Sequence, residues 1–145
     1  MSEAAHRVRR RASELCEYCR LPQSAFRRPF HIEHIVAKQH GGSDREDNLA
    51  LACWICNFKK GPNLSGVDPL TGEIVRLFNP RLDHWATHFT ALVGTLVRGG
   101  VEIRGLTPIG RATVDVLGMN DEMRQILRHE LWVEKLYAID QKNAD

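Results

Sequence analysis

Between residues 30 and 61, FHIEHIVAKQHGGSDREDNLALACWICNFKKG, the chain sets a carboxylate beside a histidine (Glu33-His34), a Gly41-Gly42 pair, and two asparagines, Asn48 and Asn57, the second directly after a cysteine. An imidazole exchanges its proton near neutrality. Carboxylate and amide oxygens are hard donors that suit magnesium or manganese better than zinc or nickel. Together these types supply what a hydrolysis needs, a base to activate water and a cation to stabilise developing negative charge. Each has a plainer use on its own. A lone histidine is commonly a surface or core residue, a strand glutamate is commonly solvated, and Asn48 suits a turn or a cap.

Four cysteines form two C-x-x-C pairs, Cys16/Cys19 and Cys53/Cys56. Disulfides, reactive thiols and a metal site all fit cysteines as such. A reducing compartment disfavours the first, and paired C-x-x-C is the usual spacing of a tetrathiolate zinc site. The 33 residues between Cys19 and Cys53 exceed the spacing of a common zinc ribbon, so a functional insert is expected between the knuckles. The Glu33-His34 stretch is that insert. Such a zinc is structural, because four thiolates leave no position open for water.

Read in order, C-x-x-C, Glu33-His34, Gly41-Gly42, Asn48-Leu49 and Cys53-x-x-Cys56-Asn57-x-x-Lys60-Gly61 resemble the HNH endonuclease family in its zinc-bearing form, here as an H-N-N variant. The specific part covers residues 16–61. The resemblance implies an α+β chain with a ββα-metal (HNH, or His-Me finger) core and a metal-dependent cut of DNA. It makes His34 the general base, places Mg²⁺ or Mn²⁺ on Glu33 and Asn57, and has Asn48 hold the loop and keep the base oriented. Glu33 and His34 point to opposite faces of an ideal strand. Both serve one site only if the strand ends or bends there, which the resemblance implies. The segments PLTGEIVRLFNPR, HWATHF and GLTPIGRATV look like the tail of small stand-alone bacterial HNH proteins, wrapping and extending the core.

The elements that position these residues are read from pattern. Residues 1–15 are polar and basic, a short helix or flexible arm with a mobile end. Residues 28–36 alternate as a strand with Phe30 and Ile32 opposite His31 and Glu33. A polar loop over 37–48 follows, then a strand over 49–52 and a helix over 54–60 ended by Gly61-Pro62. Asp68 to Glu73 make a turn before a strand-like run over 74–78. In residues 85–103, Trp85, Phe89 and Leu92 fit helical spacing, while 91–97 and 101–103 around Gly99-Gly100 fit a hairpin. A mostly β segment is favoured. Thr107-Pro108 opens a helix that Gly118 closes, and Asn120 caps a last one whose stripe is Met123, Ile126, Leu127, Leu131, Val133, Leu136 and Tyr137.

The 145 residues suit one domain, with the core at 16–61 and a β and helical extension over 62–145. The net charge of +2 hides 11 Lys/Arg against 7 Asp/Glu in residues 1–66 and 9 against 11 in residues 67–145. The basic excess, including Arg7, Arg9, Arg10, Arg11, Arg27, Arg28, Lys38, Lys59 and Lys60, suits a phosphate backbone as well as a merely solubilising surface. Arg28, Lys38, Lys59, Lys60 and His31 are the nucleic-acid-contact candidates. His31 shares a strand face with Glu33, so it can orient that carboxylate or join a metal shell. His84 and His88 stand four apart, a metal pair on a helix or packing around Trp85 and Phe89.

No apolar run approaches the roughly 20 residues of a membrane span, and the arginine-rich start lacks a signal's apolar stretch, so a cytoplasmic protein with no membrane partner is expected. DNA is the expected partner, and both monomer and homodimer are open. Two competing readings are a non-catalytic zinc-stabilised nucleic-acid-binding module and an interaction domain using the C-terminal stripe. Only a nuclease needs Glu33, His34 and Asn57 together.

Overall fold

Ser2 accepts a hydrogen bond from the Ala5 amide and so opens helix α1 (Glu3–Arg11). The computed structural model describes residues 1–94 and 99–139. Few apolar residues pin α1, as the sequence suggests, but Val8 and Ala12 are buried and arginines complete the docking. Arg9 donates to the Phe30 carbonyl (2.6 Å), Arg11 to the Leu49 carbonyl (2.6 Å), and Arg7 pairs with Glu46. Arginine can cover apolar surface with its stem while its fixed donor fork satisfies buried carbonyls. These three arginines, read from sequence as part of a basic face, therefore make contacts within the protein.

Strands β1 (His31–His34) and β2 (Leu49–Ala52) pair antiparallel, His31 opposite Ala52 and His34 opposite Leu49. The first is shorter than its pattern, since Pro29 precedes it without an amide hydrogen to donate. All four residues of β2 are buried, and Cys53 then caps helix α2 (Trp54–Lys60), its sulfur accepting from the Cys56 amide. The chain thus runs strand, loop, strand, helix in the expected order. The inner face of β1 is a surprise: Ile32 is half-buried, while Glu33 points inward.

Three further pieces make up the extension. A hairpin of β3 (Ser65–Val67) and β4 (Ile74–Arg76) closes through the turn at Asp68, which accepts from the Leu70 amide (3.0 Å) and the Thr71 hydroxyl (2.9 Å). The ambiguous 85–103 region contains both patterns in succession. A single helical turn, α3 (Trp85–His88), leads into β5 (Phe89–Val93), which pairs with β6 (Val101–Gly105). Residues 95–97 of the expected strand lie outside the described residues.

Helix α4 (Pro108–Val116) has Thr107 as its cap, accepting from Gly110 N at 3.0 Å, and Gly118 follows with φ +54°. Helix α5 (Glu122–Val133) is capped by Asp121, whereas Asn120 is drawn aside to bond both the amide (2.8 Å) and carbonyl (2.7 Å) of Ile103. The expected apolar stripe is also redistributed. The helix stops at Val133, and Met123, Val133 and Leu136 are exposed while Arg124 and Arg128 are buried. Carbonyls left over at the ends of α4 and β6 need donors. Arg128 supplies Val101 (2.9 Å) and Met119 (2.7 Å), and Arg124 supplies Leu117 (2.9 Å).

The described residues order as three two-stranded sheets linked by helices, with an apolar cluster running from Tyr18, Leu21 and Leu51 to Phe78, Phe89, Ile103 and Leu117. Trp85 donates to the Tyr18 carbonyl (2.7 Å) and Tyr137 to the Cys19 carbonyl (2.9 Å), tying the extension onto the first knuckle. Among the described residues no helix is long and apolar enough to cross a membrane.

Asp68 is the buried anchor of the β3–β4 turn, held by a two-toothed pair with Arg111 (2.9 and 2.8 Å) that keeps its carboxyl well below the usual carboxylate range. A depressed folded-state value means stability that is present above the unfolded value and is lost as pH falls through it toward the folded one. The unfolding free energy should therefore decline from about pH 4 downward. Denaturant titrations should show Asp68→Asn less stable at neutral pH and flatter than wild type across that acid window.

Candidate functional site

Cys16, Cys19, Cys53 and Cys56 are all buried, and their sulfurs lie within 4.8 Å of one another. The Cys19 and Cys53 sulfurs are 3.7 Å apart. That is close to the edge of a tetrahedron with metal–sulfur bonds of about 2.3 Å, roughly 3.8 Å. Each knuckle turns back on itself so that an amide meets its own first sulfur, Cys19 N on Cys16 (3.5 Å) and Cys56 N on Cys53 (3.4 Å). Burial pushes the Cys16 thiol up, neighbouring thiols push Cys56 up, and hydrogen bonding from Cys16 and the other two holds Cys19 down. Such a cluster shares protons that a metal ion can replace. From the extension, Arg124 reaches 3.2 Å from Cys56 Sγ, placing a buried positive charge where four thiolates would carry excess negative charge.

Glu33 is only 5% exposed and its partner Lys60 only 2%. Lys60 Nζ lies 2.6 Å from Glu33 Oε1 but gives its well-aligned hydrogen bond to the Ile35 carbonyl at 2.9 Å. Among the described residues neither carboxylate oxygen takes a well-aligned hydrogen bond, and the buried Tyr18 hydroxyl lies close enough to Glu33 to act on its carboxyl. Burial pushes the Glu33 carboxyl up, against the opposing pull of Lys60. Asn57 sits one helical turn before Lys60 on α2, half-buried, its side-chain amide without a hydrogen-bond partner among the described residues. The sequence assigned Lys60 to a phosphate. The structure places it inside, because an inward carboxylate needs a counter-charge.

His34, the next residue, faces the other way and is partly exposed. Its Nε2 lies 2.8 Å from Asp44 Oδ1, and Lys38 Nζ holds the other Asp44 oxygen at 2.9 Å. Asn48 frames the loop between them. Its side chain accepts from Val36 N (2.9 Å) and donates to the carbonyls of Val36 (3.0 Å) and Ser43 (2.8 Å). The structure thus gathers His34, Lys38 and Asn48 around one loop and sets Glu33 of β1 against Lys60 of α2, with Asn57 one helical turn earlier on that helix.

His31, Arg28 and Lys59 are exposed. His88 bonds Thr107 (2.6 Å) and packs on Phe78 and Phe89, the packing role weighed for it; no acidic, histidine or cysteine group beyond the four thiols gathers among the described residues. Three contributors are not evident from the sequence: Asp44, which stands there only as part of the polar loop over 37–48, Lys60 as an interior cation, and Arg124, whose signal is an arginine inside an otherwise apolar stripe.

The described residues thus set a strand–loop–strand–helix unit between two C-x-x-C knuckles. Residues 16–63 match the family model for HNH endonuclease, which puts this stretch of the chain in that family. No curated protein and no solved structure matches the chain.

The purified protein should carry one equivalent of a thiophilic metal by elemental analysis, and Cys53→Ser should carry none. Arg124→Met should hold the metal about 10–100-fold more weakly in a chelator competition, as when an outer partner of a metal site is removed.

Proposed function

We propose that this chain is a metal-dependent endonuclease that hydrolyses phosphodiester bonds of DNA, with zinc on the four cysteines as a structural ion. The observation that carries this reading is the pair of settings met where β1 ends at His34. Glu33 presents a buried carboxylate toward α2, ion-paired to Lys60 but without a well-aligned hydrogen bond, while the partly exposed His34 is held by Asp44. The strand–loop–strand–helix order supports a ββα-metal core.

The donor set around Glu33 fits a hard divalent cation. A carboxylate without a well-aligned hydrogen bond and the side-chain amide oxygen of Asn57 are the kind of oxygen donors that Mg²⁺ or Mn²⁺ prefers. Glu33 and Asn57 would hold the ion, and its chemistry there is to stabilise negative charge on the phosphate and the leaving oxygen. Lys60 now supplies the charge that offsets Glu33. His34 accepts the proton of the attacking water at the ring nitrogen that Asp44 leaves free. Asn48 keeps the loop closed around that histidine, and the exposed Arg28, His31, Lys38 and Lys59 are the candidates for contact with a phosphate backbone.

Supercoiled plasmid should be cut by the zinc-loaded protein with Mg²⁺ or Mn²⁺, and His34→Ala should slow it by about 10²–10⁴-fold with zinc retained. Absence of cutting by wild type, with DNA binding intact, would instead mark a zinc-stabilised binding module. Independently of cutting, Mn²⁺ binding followed by electron paramagnetic resonance should be lost in Glu33→Gln and tightened in Lys60→Met. The latter should also lower metal-free stability by up to about 3–5 kcal/mol, the cost of an unpaired buried charge, with Mn²⁺ restoring part of it.

A further inference from the structure

One exposed carboxylate holds the imidazole on which the hydrolytic reading rests. Asp44 Oδ1 is 2.8 Å from His34 Nε2, and Lys38 occupies the second oxygen at 2.9 Å. Asp44 is 69% exposed, a setting in which an ion pair adds little to stability. Its placement is nevertheless closely determined. Asn48 ties Ser43, the preceding residue, to Val36, two residues past the end of β1. A side chain at Gly42 would put its Cβ 1.7 Å from the Val36 carbonyl oxygen, so the loop lies directly on the strand end. The Ile35 amide bonds the Asn48 carbonyl at 2.9 Å, closing the same frame from behind.

We propose that Asp44 is the positioning residue of His34, fixing the ring tautomer with the hydrogen on Nε2 and leaving Nδ1 as the proton acceptor. The inference deepens the nuclease reading and rests on it for its catalytic meaning. An ionised carboxylate can only accept, so a neutral His34 facing Asp44 must carry its hydrogen on Nε2. The remaining nitrogen then has its lone pair available for the water. When Nδ1 takes a proton, the adjoining carboxylate stabilises the positive ring that results. Lys38 restrains the carboxylate from its far side. In this arrangement the Asn48 clamp acts on the base at one remove, by holding the Ser43–Asp44 step against the strand.

The test uses full-length, zinc-loaded protein labelled with nitrogen-15 at histidine. Above the imidazole titration range, wild-type His34 should show the Nε2–H tautomer, and Asp44→Ala should show a mixture or the other form. In plasmid cleavage with Mn²⁺, Asp44→Ala and Asp44→Asn should lower kcat by about 10–100-fold, the usual size for losing a partner that orients a site histidine. KM and the melting temperature should stay close to wild type, and Asp44→Glu should recover part of the rate. An unchanged tautomer in Asp44→Ala, or an unchanged kcat, overturns the proposal. A loss confined to KM overturns it as well, and makes Asp44 and Lys38 part of substrate binding. A wild type that cuts no DNA defeats the nuclease reading and the catalytic meaning with it, while the tautomer spectra still decide whether Asp44 sets the ring.

Discussion

The convergence of four buried sulfurs is the constraint around which the remaining structure is arranged. Cys16 and Cys19 come from a turn after α1, Cys53 and Cys56 from the start of α2, and everything between them must leave and return to one point. The β1–β2 pair does this with two four-residue strands and a loop. Fixing that point also fixes the backbone polar groups of the knuckles, and these need partners from outside the motif. Trp85 meets the Tyr18 carbonyl, Tyr137 the Cys19 carbonyl, and Arg81 the Glu17 carboxylate, whose other oxygen accepts from the Leu51 amide. Arg124 addresses a sulfur itself.

Across β1 the same short strand separates two electrostatic environments. Inward, Glu33 and Lys60 face each other with almost no water access, where attraction is strong but desolvation is costly to both. Outward, His34 sits with Asp44 and Lys38 near solvent, where the energy of pairing is small and geometry is what the contact provides. Adjacent residues of a strand point to opposite faces, so no bend is needed to achieve this separation. The sequence pattern implied that Glu33 and His34 meet on one side only if the strand ends or bends. The strand does end at His34, which is the condition under which the two neighbours can serve one site.

Much of this was legible from residue types. The paired C-x-x-C motifs, the Thr107-Pro108 helix opening, the Gly118 stop and the strand–loop–strand–helix order all depend on local chemistry, which the chain carries at each position. What escaped reading depends on distant groups. Arg124 and Arg128 were not foreseen as interior residues because the carbonyls they satisfy belong to Leu117, Val101 and Met119. Asn120 was read as a cap, yet Ile103 offered it both an amide and a carbonyl, and Asp121 took the capping role. Lys60 was read as a surface lysine because the sequence does not show that Glu33 turns inward. The strand β3, Ser-Gly-Val, has too weak a pattern to be recognised without its partner β4.

The grip of the extension on the first knuckle bears on how separable the motif is. Residues 16–63 hold the family signature, but the partners of the Tyr18 and Cys19 carbonyls and the guanidinium beside Cys56 come from positions 85, 137 and 124. Cutting the chain after the second knuckle would leave those groups unpaired next to four sulfurs. The signature is therefore not a portable cassette: transplanting it into another scaffold would require rebuilding the indole, phenol and guanidinium that close its underside.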